Sequence, residues 1–182
     1  MLGKFMLGKL FKKWGKKEDG TTAIEFSLLF IPYLILSLGI IELALMYSAG
    51  SLVEGATNNA ARMIRTGQIQ QASGDQQQMF RDSFCEFATV LVDCNDVEIE
   101  VQQMASFGDF DSLAPQFDGD GNFVPTGFDP GGSNDRVLIR VFYRYDMMTP
   151  FIGPLLAGAD NSIDFISTIV LQTEPYEFEG AV

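Results

Sequence analysis

The longest apolar stretch of the chain lies near its N-terminus. Residues 26–41 run for sixteen positions without a charge, and the apolar pattern extends over residues 22–46, interrupted by Glu25 and Glu42. About 25 helical residues rise nearly 38 Å, enough to cross a hydrocarbon core of about 30 Å. The pattern predicts a transmembrane helix over residues 21–47. The alternative is a buried core helix of a soluble protein, but the small domain that remains could hardly bury a helix that is apolar on every side.

The apolar pattern continues beyond the predicted bilayer. Apolar residues recur at spacings of three and four between residues 48 and 67, which predicts that the same helix runs on outside the membrane until Gly67 stops it. Small side chains on this extension would allow close helix packing, and the predicted packing residues are Gly50, Gly55, Ala56 and Ala60.

Residues 68–182 are predicted to form one exported domain. Helical spacing predicts a second helix, alternation predicts three strands, and a Gly-, Asp- and Pro-rich segment predicts a long irregular loop. The predicted ranges are 78–91 for the helix, 97–101, 136–145 and 163–172 for the strands, and 107–133 for the loop. The fold class is therefore α+β: a long N-terminal helix followed by a second helix and a roughly three-stranded antiparallel sheet.

Charge is strongly segregated along the chain. All six lysines lie in the first 17 residues, whereas six arginines and 22 carboxylates follow Gly20. The positive-inside bias predicts that residues 1–20 are a basic cytoplasmic leader and that the domain lies outside. The leader either only sets this topology or also forms an interfacial helix on an anionic leaflet. The acidic remainder argues against binding to nucleic acid.

The sequence offers little for catalysis. Histidine is absent, which removes the commonest general base and the commonest metal ligand. We therefore expect neither an enzyme nor a cofactor. Asp118, Asp120, Asn122 and Asp129 resemble a calcium loop, but Phe123 stands where that loop needs glycine, so they are only a weak metal candidate. Cys85 and Cys94 are predicted to form a disulfide in the exported domain, the alternative being two separate buried thiols.

The junction before the apolar stretch has a recognisable pattern. A basic leader ends at Gly20, and Glu25 and Phe26 follow before the uncharged run. This order resembles the processing site of type IV prepilins, in which an inner-membrane peptidase cuts after the glycine. A cut there would free the amine of Thr21, one helical turn from Glu25. Glu42, near the other end, either pairs with a partner subunit or lies solvated at the headgroup level.

Both ends of the chain resemble the TadE-like family. The N-terminal similarity lies in GTTAIEFSLLFIPYLILSLGIIEL and the small-residue segment ending NNAAR, and the C-terminal similarity in RVLIRVFYRYDMMTPFIGPLL and STIVLQTEPY. The family's closing tetrapeptide usually begins with Asn, where this chain has Thr173. The resemblance implies a minor pseudopilin of the Flp/Tad pilus system of the bacterial inner membrane. It further implies Gly20 before the cut, Thr21 as the new N-terminus and Glu25 in subunit docking.

The implied partners are other minor pseudopilins, the major pilin, the inner-membrane platform proteins and the prepilin peptidase, together with the lipid bilayer. The expected location is the bacterial inner membrane, with the N-terminus cytoplasmic and the domain periplasmic. An alternative hypothesis is an envelope-anchored binding or adhesion module whose acidic loop meets a ligand or calcium.

Overall fold

The computed structural model describes residues 20–176, so residues 1–19 of the predicted basic leader lie outside the described residues. The chain divides into two units, with the boundary between Glu42 and Leu43. The described elements in chain order are α1 Thr21–Arg65, α2 Gln76–Ala88, β1 Val97–Met104, β2 Arg136–Asp146, α3 Gly153–Ala157 and β3 Ser162–Gln172. The α+β fold class, with a long N-terminal helix, a second helix and three antiparallel strands, is confirmed.

Helix α1 is continuous over 45 residues, with Pro32 inside it. It ends in a Schellman motif: the N–H of Gly67 donates to the carbonyl of Ile64, and that of Gln68 to the carbonyl of Met63. Gly67 has a φ of 75°, a conformation that glycine adopts at no steric cost. Gly67 therefore stops the helix as predicted, and the last helical residue is Arg65.

Helix α2 begins where Asp75 caps it. The Asp75 carboxylate accepts hydrogen bonds from the backbone N–H groups of Gln77 and Gln78, which would otherwise have no partner within the helix. Residues at a spacing of four, Phe80, Phe84 and Ala88, form its buried side. The helix thus starts two residues earlier and ends three residues earlier than the predicted range 78–91.

The three strands lie in the order β1-β2-β3, and both pairs are antiparallel. Val101 of β1 pairs with Ile139 of β2, which pairs in turn with Ile169 of β3. These residues belong to one face of the sheet, which packs on α2 and on the part of α1 that follows Leu43. This face and the two helices form the hydrophobic core.

The opposite face of the sheet is covered by the segment between β1 and β2. This segment is largely irregular, as predicted, but it contains a 3-10 helix over Phe107–Ser112. Phe123 stacks on Phe142 of β2 with ring centroids 5.4 Å apart, and Phe117 meets Phe123 edge-on at 5.9 Å. As a result, Phe142 is buried although it points away from the helices. The loop is therefore a second covering layer of the sheet.

Candidate functional site at the N-terminal helix

The predicted processing residues lie at the start of α1. The helix begins at Thr21, directly after Gly20, and Glu25 and Phe26 follow in its next turn. All four residues are exposed, and a Cβ added at Gly20 would meet no atom within 4 Å. The described structure therefore leaves this junction sterically open.

The helix that follows is apolar and exposed. Thirteen large hydrophobic side chains between Ile24 and Ile41 are each 40 to 72% exposed. Among residues 20–176, α1 is the one helix long and apolar enough to cross a membrane. Glu42 differs, since it is only 1% exposed, and the expectation of a solvated glutamate at this position is wrong.

The small residues of α1 are used inside the chain's own domain. Ala56 and Ala60 are completely buried in the core that α1 forms with the sheet. Gly50 and Gly55 are half-buried, since the Phe165 ring lies beside Gly50 and the Phe87 ring beside Gly55. An added Cβ would lie 3.0 Å from the first ring and 3.2 Å from the second. The four predicted packing residues therefore all lie on α1, but two are fully buried and two are partly exposed.

Two further predictions for the domain concern its disulfide and its weak calcium candidates. Cys85 and Cys94 form the predicted disulfide, with Cα atoms 6.0 Å apart, which ties α2 to the segment before β1. Three of the four calcium candidates lie in one turn, where the Asp118 carboxylate accepts hydrogen bonds from the N–H groups of Asp120 and Asn122 and from the Asn122 side chain. These bonds, that from the Asn122 side chain first, lower the pKa of Asp118. Nowhere in residues 20–176 do three or more His, Cys, Asp or Glu side chains form a group that could hold a metal ion.

Sequence reasoning missed a buried ion pair between β1 and β2. Glu100 and Arg140 are neighbours across the two strands, and both are at most 2% exposed. The Arg140 guanidinium donates to the Glu100 carboxylate and, at 2.7 Å, to the carbonyl of Leu113 in the covering loop. Glu100 also accepts from the N–H and hydroxyl of Thr126 in the same loop. Glu98 and Glu100 lie on the face of β1 that points away from the helices, where Glu98 is exposed and Glu100 is buried.

The closing tetrapeptide, residues 173–176, contacts the end of α1. The Thr173 hydroxyl donates to the carbonyl of Gly132 at 2.6 Å, and the N–H of Glu174 donates to the carbonyl of Arg65 at 2.8 Å. The Tyr176 ring lies against Gly67, where a Cβ would come within 2.5 Å of the ring. Burial, then the charge of Asp135, raises the pKa of Tyr176. This motif therefore has a structural role at the C-terminus of the long helix.

These features define an α+β protein with one exposed, apolar N-terminal helix, consistent with a single-pass membrane anchor. Within it, residues 20–62 match the family model described as TadE-like protein. The matched region begins at Gly20 and lies almost entirely in α1. No match was found among curated proteins or among solved structures.

Proposed function

We propose that this chain is a membrane-anchored, minor pseudopilin-like component of a Tad pilus assembly system. The observation that supports this best is that the family match and the exposed apolar part of α1 overlap. The family match covers residues 20–62, and the exposed apolar side chains of α1 lie between Ile24 and Ile41, inside that match. The TadE-like family implies a pilus-associated, non-enzymatic structural component.

The exposed helix needs an apolar environment. Moving a large aliphatic or aromatic side chain from water to an apolar medium is favourable by about 1.5–3 kcal/mol. Thirteen such side chains, each about half exposed, represent on the order of 20 kcal/mol of unfavourable hydration. Lipid or the helices of neighbouring subunits can remove that cost. The six lysines before the helix favour an inner-membrane location with the N-terminus in the cytoplasm and the domain in the periplasm.

In this proposal the junction at Gly20 is the processing site. The prepilin peptidase cuts between Gly20 and Thr21, and the new amine of Thr21 lies one helical turn from Glu25. A carboxylate at the edge of the bilayer is tolerated where it finds a cation. Glu25 then pairs with the Thr21 amine of its own chain or of a neighbouring pseudopilin, which orders the subunits during assembly.

Co-expression of the full chain with its prepilin peptidase tests the cleavage. Intact-mass analysis should find a product that begins at Thr21, and Gly20→Val should leave the full-length mass because the side chain blocks the cut. Gly74→Val is the matched control, since a Cβ at Gly74 also meets no atom within 4 Å, and it should be cleaved normally. An uncut wild-type chain beside a peptidase that processes the major pilin would refute the processing step.

A second pair of variants tests the role of Glu25. Glu25→Gln should be cleaved like the wild type but should fail to restore pili in cells that lack this chain. Glu54→Gln removes an exposed glutamate farther along the same helix and should restore them. Full pilus formation with Glu25→Gln would contradict the docking role, while loss of the whole chain without loss of pili would contradict the assembly function.

A further inference from the structure

The hairpin between β2 and β3 presents an unusual apolar tip. Its thirteen residues 147–159 include no charged side chain. Phe151 and Leu155 are 87% and 80% exposed, and Met148 is 66% exposed. Large apolar side chains clustered at this exposure are uncommon on a soluble surface and indicate an interaction site.

The tip is held in shape by its own hydrogen bonds. The N–H of Met147 donates to the carbonyl of Asn161, and the Asn161 amide donates back to the carbonyl of Met147 at 3.0 Å. The N–H groups of Ile152 and Gly153 donate to the carbonyl of Thr149. Ile152 and Gly153 are buried, so the tip places Ile152 inward while the neighbouring Phe151 points out. The exposed side chains are thus presented by a folded turn.

The tip lies at the end of the domain where α1 enters it. Phe165, near the start of β3, contacts Gly50 in the early part of the helix that belongs to the domain. The other end of β3 lies beside the end of α1, where the N–H of Glu174 donates to the carbonyl of Arg65. The strand β3 therefore runs in the same direction as the part of α1 that follows Leu43, and the hairpin that precedes β3 lies at the Leu43 end of the domain.

We propose that this hairpin tip inserts into the interfacial region of the membrane that α1 crosses. The inference rests on the proposed function, since it takes α1 as a membrane anchor. Interfacial segments bury apolar side chains about 5–10 Å into the boundary between headgroups and acyl chains. The tip has the required composition, and the anchor holds it at the surface, so no separate binding event is needed. Asp146 and Asp160, which flank the uncharged run, are exposed and remain on the aqueous side.

Lipid is favoured over a protein partner by the chemistry of the tip. A protein interface generally surrounds its apolar centre with polar partners for hydrogen bonds. Here four backbone N–H groups of residues 152–156 donate within the turn, and the large exposed side chains are apolar. The flanking carboxylates oppose anionic headgroups, so zwitterionic lipid is the suitable probe.

Tryptophan fluorescence in vesicles tests the proposal on the full chain. Trp14, the single tryptophan, is first replaced by Phe, and one tryptophan is then introduced per variant. Phe151→Trp reports on the tip, and Tyr33→Trp reports on the anchor. Phe107→Trp is the matched control, because Phe107 is an exposed aromatic beside Arg136, at the opposite end of the sheet. Each variant is reconstituted in phosphatidylcholine vesicles with or without brominated acyl chains.

The expected result is blue-shifted emission that brominated lipid quenches at positions 33 and 151, and unshifted, unquenched emission at position 107. Quenching at 33 without quenching at 151 overturns the hairpin inference and leaves the anchor intact. Failure to quench at 33 refutes the membrane anchor itself and thereby the proposed function. A blue shift at 151 that occurs only in native membranes, and not in pure lipid, identifies a protein partner and also overturns the inference.

Discussion

Removal of one partner from the buried Glu100–Arg140 pair should strongly destabilise the domain. Breaking a buried ion pair typically costs about 3–5 kcal/mol because the remaining charge is left uncompensated in a poorly solvated site. Both residues are at most 2% exposed, and the bonds that their side chains form reach across β1, β2 and the covering loop. The loss should therefore release the loop from the sheet as well as weaken the strands.

The hydrogen bonds of the pair predict which variant loses most free energy of unfolding. Arg140→Met leaves Glu100 with donors from Thr126 and Gln102, so the cost should lie near the lower value, about 3 kcal/mol. Glu100→Leu leaves the guanidinium with the carbonyl of Leu113 as a described acceptor, so the cost should be higher, about 4–5 kcal/mol. The double variant removes both charges and should lie within about 1 kcal/mol of the wild type.

Urea unfolding of the full chain in detergent micelles measures these differences. Near-ultraviolet circular dichroism follows the sheet tyrosines, Tyr143 and Tyr145 of β2, and Tyr33 is replaced by Phe in every protein compared so that the apolar part of α1 adds no tyrosine signal. The wild type, both single variants and the double variant together give the coupling energy of the pair. Single variants that each cost less than about 1 kcal/mol would refute the claim that the pair is desolvated.

The same pair predicts a pH dependence. Burial raises the pKa of Glu100, but hydrogen bonds from Thr126, the charge of Arg140 and a hydrogen bond from Gln102 outweigh it, and the net pKa lies below the ordinary value of 4.5. A carboxylate with a lowered pKa stabilises the fold above its unfolded-state pKa and loses that contribution as the pH falls through the folded-state value. The free energy of unfolding should therefore fall below about pH 4.5, and the Glu100→Leu/Arg140→Met double variant should show a smaller fall over the same range.

Two further predictions concern the turn at Gly67 and the disulfide between Cys85 and Cys94. Gly67→Ala should lower the free energy of unfolding by at least about 1–2 kcal/mol, since the left-handed conformation disfavours alanine and its Cβ would strike the Tyr176 ring. The control Gly74→Ala should change it by less than about 0.5 kcal/mol. Equal losses for the two variants in urea unfolding would contradict the capping role of Gly67. Replacing both Cys85 and Cys94 by serine should lower the free energy of unfolding by about 2–3 kcal/mol, the chain-entropy value for a loop of this length. Chemical reduction of the disulfide in the wild type should lower the free energy of unfolding by a similar amount. An unchanged urea midpoint after reduction would contradict a stabilising role of the disulfide.

The sequence predicted the elements whose signals are local. The uncharged run and the three- and four-residue spacing predicted α1, and the φ that Gly67 adopts agrees with its predicted place at the helix end. Alternation predicted strands close to β1, β2 and β3, and the cysteine spacing predicted the disulfide. In each case the signal comes from residues that are neighbours along the chain.

The parts that were missed depend on residues far apart in the chain. Glu100 and Arg140 meet only because antiparallel pairing fixes their register, and Thr126 reaches them only when the loop folds over the sheet. Glu100 gave only a weak signal, since a glutamate in an alternating strand could equally face solvent, as Glu98 does. The aromatic residues of the loop were a second signal, because Phe117 and Phe123 would be unfavourable in a solvated excursion.

One helix thus serves two environments, and the division explains which residues remain available for assembly. Ala56 and Ala60 are taken up by the chain's own core, so a neighbouring subunit cannot reach them while the domain stays folded. The side chains between Ile24 and Ile41 are exposed, so lipid and a neighbour's helix would compete for them. In lipid, packing between helices depends on close contact and on polar groups more than on the hydrophobic effect. We therefore expect the specificity of the proposed assembly to come from the few polar positions of this part of α1, above all Glu25, and its membrane retention from the apolar ones.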